Sequence, residues 1–226
     1  MTRADLLNLV AERIGSIDNP GTVRVGIDGV DGAGKTTLAD ELADYLRRFG
    51  RPIIRASIDG FHNPRSVRYR NGPESPEGYY LDSFNYEALI DSLLKPLGPE
   101  GTGHHRTAIF DYRRDEPIQL PVMKAEPRSI LLFDGVFLLR PELQPYWDYS
   151  IFVEAGFDVT LARVMSRDIA LFGTRDNVVR RYKSRYIPGQ KLYLAECRPQ
   201  MRASLVIGNG DYARPIILAE RTAHQC

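Results

Sequence analysis

Apolar positions along the chain follow two rhythms. Val23, Val25 and Ile27 alternate with Thr22, Arg24 and Gly26, which predicts a strand. Soon afterwards Leu38, Leu42, Leu46 and Phe49 recur at helical spacing, and Gly50 with Pro52 ends that helix. Strand candidates follow at 52–59, 107–112, 129–139, 149–155, 204–209 and 215–220, several of them continuous apolar runs of the kind a parallel strand needs when both faces are covered. Helical patterns over 85–97, 157–172 and 189–201 lie between them, so the order predicts an α/β layered sheet with ligand sites at the carboxyl ends of its strands. At the start, Leu6, Leu7, Val10 and Ile14 form one stripe of a helix over about 3–16. Asp5 and Glu12 interrupt it, and it has neither the unbroken apolar segment nor the cleavage site of a targeting peptide.

Two regions break the rhythm. Residues about 60–82, with "HNPRSVRYRNGPESPEGYY" at 62–80, are rich in Pro, Gly, Arg and Tyr and read as a substrate-binding excursion over the site. The arginine-rich run from Arg163 to Arg185 reads as a lid over about 160–186. Both belong to a single domain spanning 1–226, and no internal repeat or long low-complexity segment divides it.

The segment between the first strand and the first long helix carries the chemistry. "GIDGVDGAGKTT", residues 26–37, contains Gly29-x-x-x-x-Gly34-Lys35-Thr36, the full P-loop pattern, with a strand before it and a helix after it. Glycines allow successive N–H groups to turn inward, and the helix adds its positive end at the same place. Gly29, Asp31, Gly32, Ala33, Gly34, Lys35, Thr36 and Thr37 form the expected nucleotide cradle. Lys35 would reach the terminal phosphates and Thr36 would coordinate Mg²⁺.

Charge and cysteine content narrow the setting. Thirty basic side chains against 29 acidic ones leave a formal net charge of +1, so no global field argues for nucleic acid or an anionic membrane, and anion binding must be local. No stretch approaches a membrane span. Cys197 and Cys226 have no paired spacing; they read as a buried thiol and a frayed C-terminus in a reducing, cytoplasmic setting, without a thiolate metal cage.

Phosphoryl transfer also needs a group to take the acceptor's proton and groups to neutralise charge. Asp59 ends the second apolar strand before Gly60: it is either a turn-forming aspartate or a carboxylate near the γ-phosphate, accepting a hydroxyl proton or helping to hold the metal. Asp134, ending "ILLFD" before Gly135, divides in the same way between a turn and a Walker-B acid acting on Mg²⁺. Arg163 and Arg167 share a helix face, and Arg175 follows Gly173 in an expected turn. Aimed at a cleft these guanidinium groups would clamp phosphate oxygens, the alternative being a solvated basic face. Most of Arg180, Arg181 and Arg185 read as surface. His62, His104, His105 and His224 have no ligand spacing for zinc, although His62 lies close enough to Asp59 to touch a substrate.

In their order, "GVDGAGKTT", "SIDGFH", "YYLDSFNYEAL", "FDYR", "LLFDGVFLL", "LARVMSRDIALFGTRD" and "RYIPGQKLY" resemble the uridine kinase and phosphoribulokinase-like family of P-loop kinases, from the P-loop to about Pro215. The resemblance implies a P-loop NTPase fold, three-layer α/β/α with a mostly parallel sheet. It also implies a kinase that uses ATP and Mg²⁺ to phosphorylate a hydroxyl, often the 5′-hydroxyl of a nucleoside. On this resemblance Asp59 matches the catalytic base, with Lys35 beside it in the catalytic set, and Asp82 falls where ribose hydroxyls are bound. Phe110 and Tyr112 match aromatic positions flanking the base, and Arg163, Arg167 and Arg175 fall in the lid and substrate-binding region. Departures are Asp115 where a pyrimidine-reading histidine is usual, Arg181 where a glutamine is expected, and Asp134 where glutamate is common. A site without those readers discriminates poorly for uridine.

Other functions share the scaffold. Pantothenate, a sugar or a sugar phosphate could be the acceptor, and the arginines suit a phosphorylated one. A nucleotide-dependent switch is the reading from another class; the chain has no guanine-reading Asn/Thr-Lys-x-Asp motif to support it. The family includes oligomers, but no interface stripe stands out here.

Overall fold

The computed structural model describes residues 1–221, so His224 and Cys226, placed in the expected frayed end, lie outside the described residues. A six-stranded sheet forms the middle layer, made of β1 (Val23–Gly29), β2 (Ile53–Ser57), β3 (Ile130–Gly135), β4 (Tyr149–Glu154), β5 (Leu205–Gly208) and β6 (Ile216–Glu220). Their order is β6-β5-β4-β1-β3-β2. β1 lies between β3 and β4, parallel to both, and β6 pairs antiparallel with β5 at one edge.

The hydrophobic pattern explains the layers. Every position of β1 and β3 is buried, and alternate residues of β3 serve opposite faces. Ile130 and Leu132 pack into a core shared with helices α1 (Arg3–Gly15) and α2 (Lys35–Arg47). Leu131 and Phe133 pack the other way, among Phe61 and Tyr79, Tyr80 of α3 (Pro76–Asp82). A second long helix on that side, α6 (Ile187–Cys197), adds Tyr193 and the buried free thiol of Cys197. A Thr2–Asp5 capping box fixes the start of α1, so the expected N-terminal helix forms with its stripe of Leu6, Leu7, Val10 and Ile14 buried.

Between β4 and β5 the chain runs through α4 (Phe157–Arg167), a short helical turn and α5 (Arg175–Arg181) before entering α6 through one wide turn at Tyr182–Tyr186. Two strand expectations are corrected. Of 129–139, only 130–135 is strand: Phe137 adopts φ +65° and turns the chain, which lets the Leu139 amide bond Asp28 at the end of β1. Residues 107–112 do not join the sheet. Phe110–Asp111 pairs with Glu116–Pro117 in a separate hairpin, closed by Asp111 accepting from the amides of Arg113 and Arg114 and by Asp115 at φ +63°. The Ile109 amide anchors this hairpin to the Gly60 carbonyl, just beyond β2. The helices expected over 85–97 and 189–201 likewise change register, one into a wide turn at Ile90–Leu94 and the other at Arg198, where φ is +47°.

Candidate active site

β1 delivers the chain into the loop at the centre of the sheet, and backbone geometry there requires glycine. A Cβ on Gly29 would run into the Val153 carbonyl of β4, and Gly34, at φ +99°, would place one 2.6 Å from the Asn209 amide nitrogen. Gly34 caps α2 without any side-chain acceptor, and the first turn carries no acidic residue. The first amides of α2 are thus left for an anionic ligand. Arg163 of α4 braces the loop from behind, donating to the carbonyl oxygens of Gly32, Ala33, Asn209 and Gly210 at 3.2, 3.5, 2.8 and 3.1 Å. Its guanidinium is therefore directed at the loop's own main chain, because a positively charged fork is the natural partner for carbonyls turned away from the cradle.

On the ligand side, the ammonium of Lys35 rests on the Val30 carbonyl at 2.9 Å. The Thr36 hydroxyl donates to Oδ2 of Asp134 at 2.6 Å, and Oδ1 of Asp134 accepts from Arg55 at 2.9 Å. A hydroxyl and a carboxylate so close are hard oxygen donors that fit Mg²⁺, an ion that takes one or two protein ligands and completes its shell with water and phosphate. Among the described residues no three His, Cys, Asp or Glu side chains converge as a metal cage.

Asp59 follows β2 in a tight helical turn capped by the Ser57 hydroxyl. Ser57 is the register partner of Asp134 on the neighbouring strand, so the two acids emerge side by side at the carboxyl end of the sheet. Crowding by surrounding protein, then the like charges of Asp31 and Asp134, push the Asp59 carboxyl up to about 6, while Lys35 and Arg167 pull the other way. The side chain still reaches solvent, as a proton acceptor for an incoming substrate must. Arg167 is held by Asp168 at 2.6 Å, and Asp168 also accepts from the Tyr182 hydroxyl at 2.7 Å.

The remaining expected residues divide. Beside Asp59, His62 stacks on Tyr112 (4.8 Å) and packs tilted against Phe84 (4.6 Å), and its Nδ1 lies 3.0 Å from the Asp59 carbonyl. Burial among these rings pushes the imidazole down to about 4, so it is neutral and donates from Nδ1. Tyr112 thus sits at the site with a partner different from Phe110, which is buried in the hairpin. Asp82 is buried with both oxygens occupied, by Arg70 and by Asn71 at 2.9 Å, and ties the excursion together. Arg175 is exposed at the start of α5 and none of its groups bonds to the residues above among the described contacts. Asp115 pairs with Arg68 at 2.9 Å and accepts from the Arg65 amide; Arg181 donates to the Pro73 carbonyl and stacks on Tyr69. Arg185, expected at the surface, is only 2 % exposed and donates to four carbonyls of the excursion.

Several contributors are given no role by sequence reasoning. Tyr79, Asp168 and Gln190 stand inside the runs "YYLDSFNYEAL", "LARVMSRDIALFGTRD" and "RYIPGQKLY", and only the fold brings Tyr79 and Gln190 to Asp31 and Asp168 to Arg167. Arg55 had a signal: a cation inside the apolar run that precedes Asp59.

Comparisons with known proteins agree with this geometry. The model of the "Phosphoribulokinase / Uridine kinase family" matches residues 24–209. A uridine kinase of Bacillus mycoides (strain KBAB4) is 30% identical over 168 residues, covering 71% of this chain and 74% of that protein. A uridine kinase of Clostridium botulinum (strain Langeland) is 28% identical over 204 residues, 85% of this chain and 90% of that one. Among solved structures, one described as a possible uridine kinase from Bacillus stearothermophilus superposes with a TM-score of 0.72 at 24% identity, covering 90% of this chain and 97% of that one; it shows the α/β fold alone. The family model spans most of the chain and includes every acid and the loop described above, so the chain belongs to the phosphoribulokinase / uridine kinase family and is a phosphotransferase with an alcohol group as acceptor.

Proposed function

We propose that the protein transfers the γ-phosphate of Mg-ATP to a hydroxyl of a nucleoside or a related hydroxyl metabolite, acting as one domain in which residues 60–82 and 160–186 border the acceptor. The observation that carries this reading is the place of Asp59 at the carboxyl end of the sheet, one short turn from the register partner of Asp134, where the charges of Lys35 in the P-loop and Arg167 of α4 act on it. Asp59 takes the proton of the acceptor hydroxyl as its oxygen bonds to the γ-phosphorus, and the bond from that phosphorus to the bridging oxygen of ADP breaks. Lys35 and Arg167 neutralise charge on the moving group. Thr36 and Asp134 would hold Mg²⁺, which when bound screens the phosphate oxygens.

A nucleoside is supported by the Tyr112–His62–Phe84 cluster next to Asp59, which offers an aromatic face to a base, and by the names of the relatives. The nucleoside is uridine- or cytidine-like, and Asp115, engaged by Arg68 where a pyrimidine-reading histidine is usual, makes discrimination for uridine itself weak. An acceptor that already bears a phosphate is the second reading, favoured by Arg68 and Arg181, both within 5.5 Å of the Tyr69 ring centre. A small soluble acceptor in the cytoplasm agrees with the near-neutral charge and with the reduced Cys197; no helix among the described residues is long and apolar enough to cross a membrane. The test is Mg²⁺-dependent ADP release across ribonucleosides, deoxyribonucleosides, pantothenate, sugars and sugar phosphates, with Asp59→Asn as the blank. Stimulation by a nucleoside is expected; ATP binding without stimulation by any acceptor would move the protein to the switch class.

A further inference from the structure

The P-loop residue Asp31 is held in a way that cradling phosphate does not require. Its backbone amide donates to Oε1 of Gln190 at 2.9 Å, and Nε2 of Gln190 donates back to Oδ2 at 2.9 Å. The hydroxyl of Tyr79, from the excursion, donates to the same Oδ2 at 2.8 Å. Two elements on the far side of the cleft, α3 and α6, therefore fix one carboxylate oxygen. Among the described residues nothing donates to the other, Oδ1, and it is not one of the buried unpartnered atoms, so it is accessible to a ligand. The bond from Tyr79 of the excursion puts that carboxylate on the acceptor's side of the loop, and its charge acts on both Asp59 and Arg167.

We propose that Oδ1 of Asp31 accepts a hydrogen bond from a second hydroxyl of the acceptor, next to the one that is phosphorylated, which makes Asp31 a specificity-determining residue for polyhydroxylated acceptors. A carboxylate fixed through one oxygen presents the other in a single direction and recognises a donor with little further loss of freedom. The charges of Asp31 and Asp134 both act on Asp59, so the reacting end of the acceptor meets negative charge. A neutral hydroxyl suits that position and an anionic group does not. Any phosphate or carboxylate of the acceptor belongs at its far end, toward Arg68 and Arg181. The inference rests on the kinase reading above.

Asp31→Asn separates recognition from tethering. The asparagine oxygen can still accept from Tyr79 and Gln190, while its NH₂ replaces Oδ1 and offers a donor where an acceptor was. The comparison is run with the acceptor that stimulates ADP release and with its analogue lacking the neighbouring hydroxyl. Expected for the variant are an unchanged melting temperature, ATP affinity equal or tighter because a negative charge has left the phosphates, and an acceptor KM raised by about 10- to 10²-fold. Wild type should lose a similar factor on the deoxy analogue, and the variant should barely distinguish the two compounds. If the variant keeps the wild-type acceptor KM, or both proteins discriminate equally, Asp31 is only a tether and the inference fails while the kinase reading stands. If wild type is stimulated by no hydroxyl compound, the kinase reading fails and takes the inference with it.

Discussion

Arg163 and Arg185 use one device on opposite sides of the cleft. Each turns its guanidinium onto main-chain carbonyls: Arg163 onto Gly32, Ala33, Asn209 and Gly210 around the P-loop, Arg185 onto Arg68, Gly72, Pro73 and Ser75 of the excursion. The settings differ. The donor side is a loop whose conformation is already dictated by glycines and by its place between β1 and α2, and Arg163 braces what local sequence has shaped. The acceptor side has short helices, a turn at Gly72 and no ladder to the main sheet, so its shape depends on long-range bonds such as Arg185 and the Arg70–Asp82–Asn71 cluster. Backbone carbonyls are fixed acceptors present at every residue. An arginine that binds them needs no acidic partner, and a basic run without acids can then be structural instead of a phosphate clamp.

The comparison implies that damage to the donor side should abolish turnover with any acceptor. Lys35→Ala is expected to lower kcat/KM for ATP by at least about 10³-fold, measured by coupled ADP release at saturating acceptor. Activity within a factor of ten of wild type would show that the loop is not the phosphate site. Next in size is Asp59→Asn, expected to cut kcat by at least about 10²-fold with ATP affinity largely kept. The wild-type pH profile provides a second check, because a base raised to about 6 is ionised above that pH and protonated below it. kcat/KM should therefore rise tenfold per pH unit on the acid side and level off above about 6, and the acid limb should vanish in the variant.

The sharper test sets the two arginines against each other. Arg185→Met should raise the acceptor KM about tenfold or more and leave ATP affinity alone, since it frees the excursion and leaves its carbonyls unpaired. Arg163→Met should do the reverse, weakening ATP by a similar factor with little change in acceptor KM. Calorimetric ATP titration and steady-state acceptor kinetics on both variants read the difference. Equal effects on both ligands would mean that the two sides form one cooperative unit and that the distinction drawn above is wrong.

What could be read in the chain follows the same division. The sheet, its flanking helices and the P-loop were legible because each is set by local periodicity: Val23, Val25 and Ile27 alternate, Leu38, Leu42 and Leu46 recur, and Gly29 and Gly34 stand where a side chain cannot. Asp59 and Asp134 were legible as strand-end acids, since both follow apolar runs. Residues 107–112 resemble a strand by the same rule and leave the sheet because the Asp111 turn closes a hairpin first. The Asp31–Tyr79–Gln190 and Arg185 contacts could not be read, as they join residues 48, 159 and more than 100 positions apart. Arg163 and Arg167 shared a predicted face, yet one braces the loop and the other is held by Asp168, where its charge acts on Asp59; a one-turn difference along α4 decides which.

The smallest expected effect concerns stability. The native carboxyl of Asp59 binds its proton more tightly than an unfolded aspartate, whose pKa lies near 3.8. Between about pH 4 and 6 the folded state therefore holds more protons than the unfolded one, and stability falls as pH rises through that window. Above it, the ionised carboxylate beside Asp31 and Asp134 works against the fold, by an amount that solvent access keeps modest. Asp59→Asn removes that charge, so its melting temperature should exceed wild type at pH 8 and converge with it near pH 4. This increase in stability should accompany the largest loss of kcat on the acceptor side, as expected when a functional group is kept in an unfavourable field. A variant that melts lower than wild type at pH 8 would instead make Asp59 a turn-forming residue whose carboxylate supports the Ile58–Phe61 turn, the alternative that its Asp-Gly sequence left open.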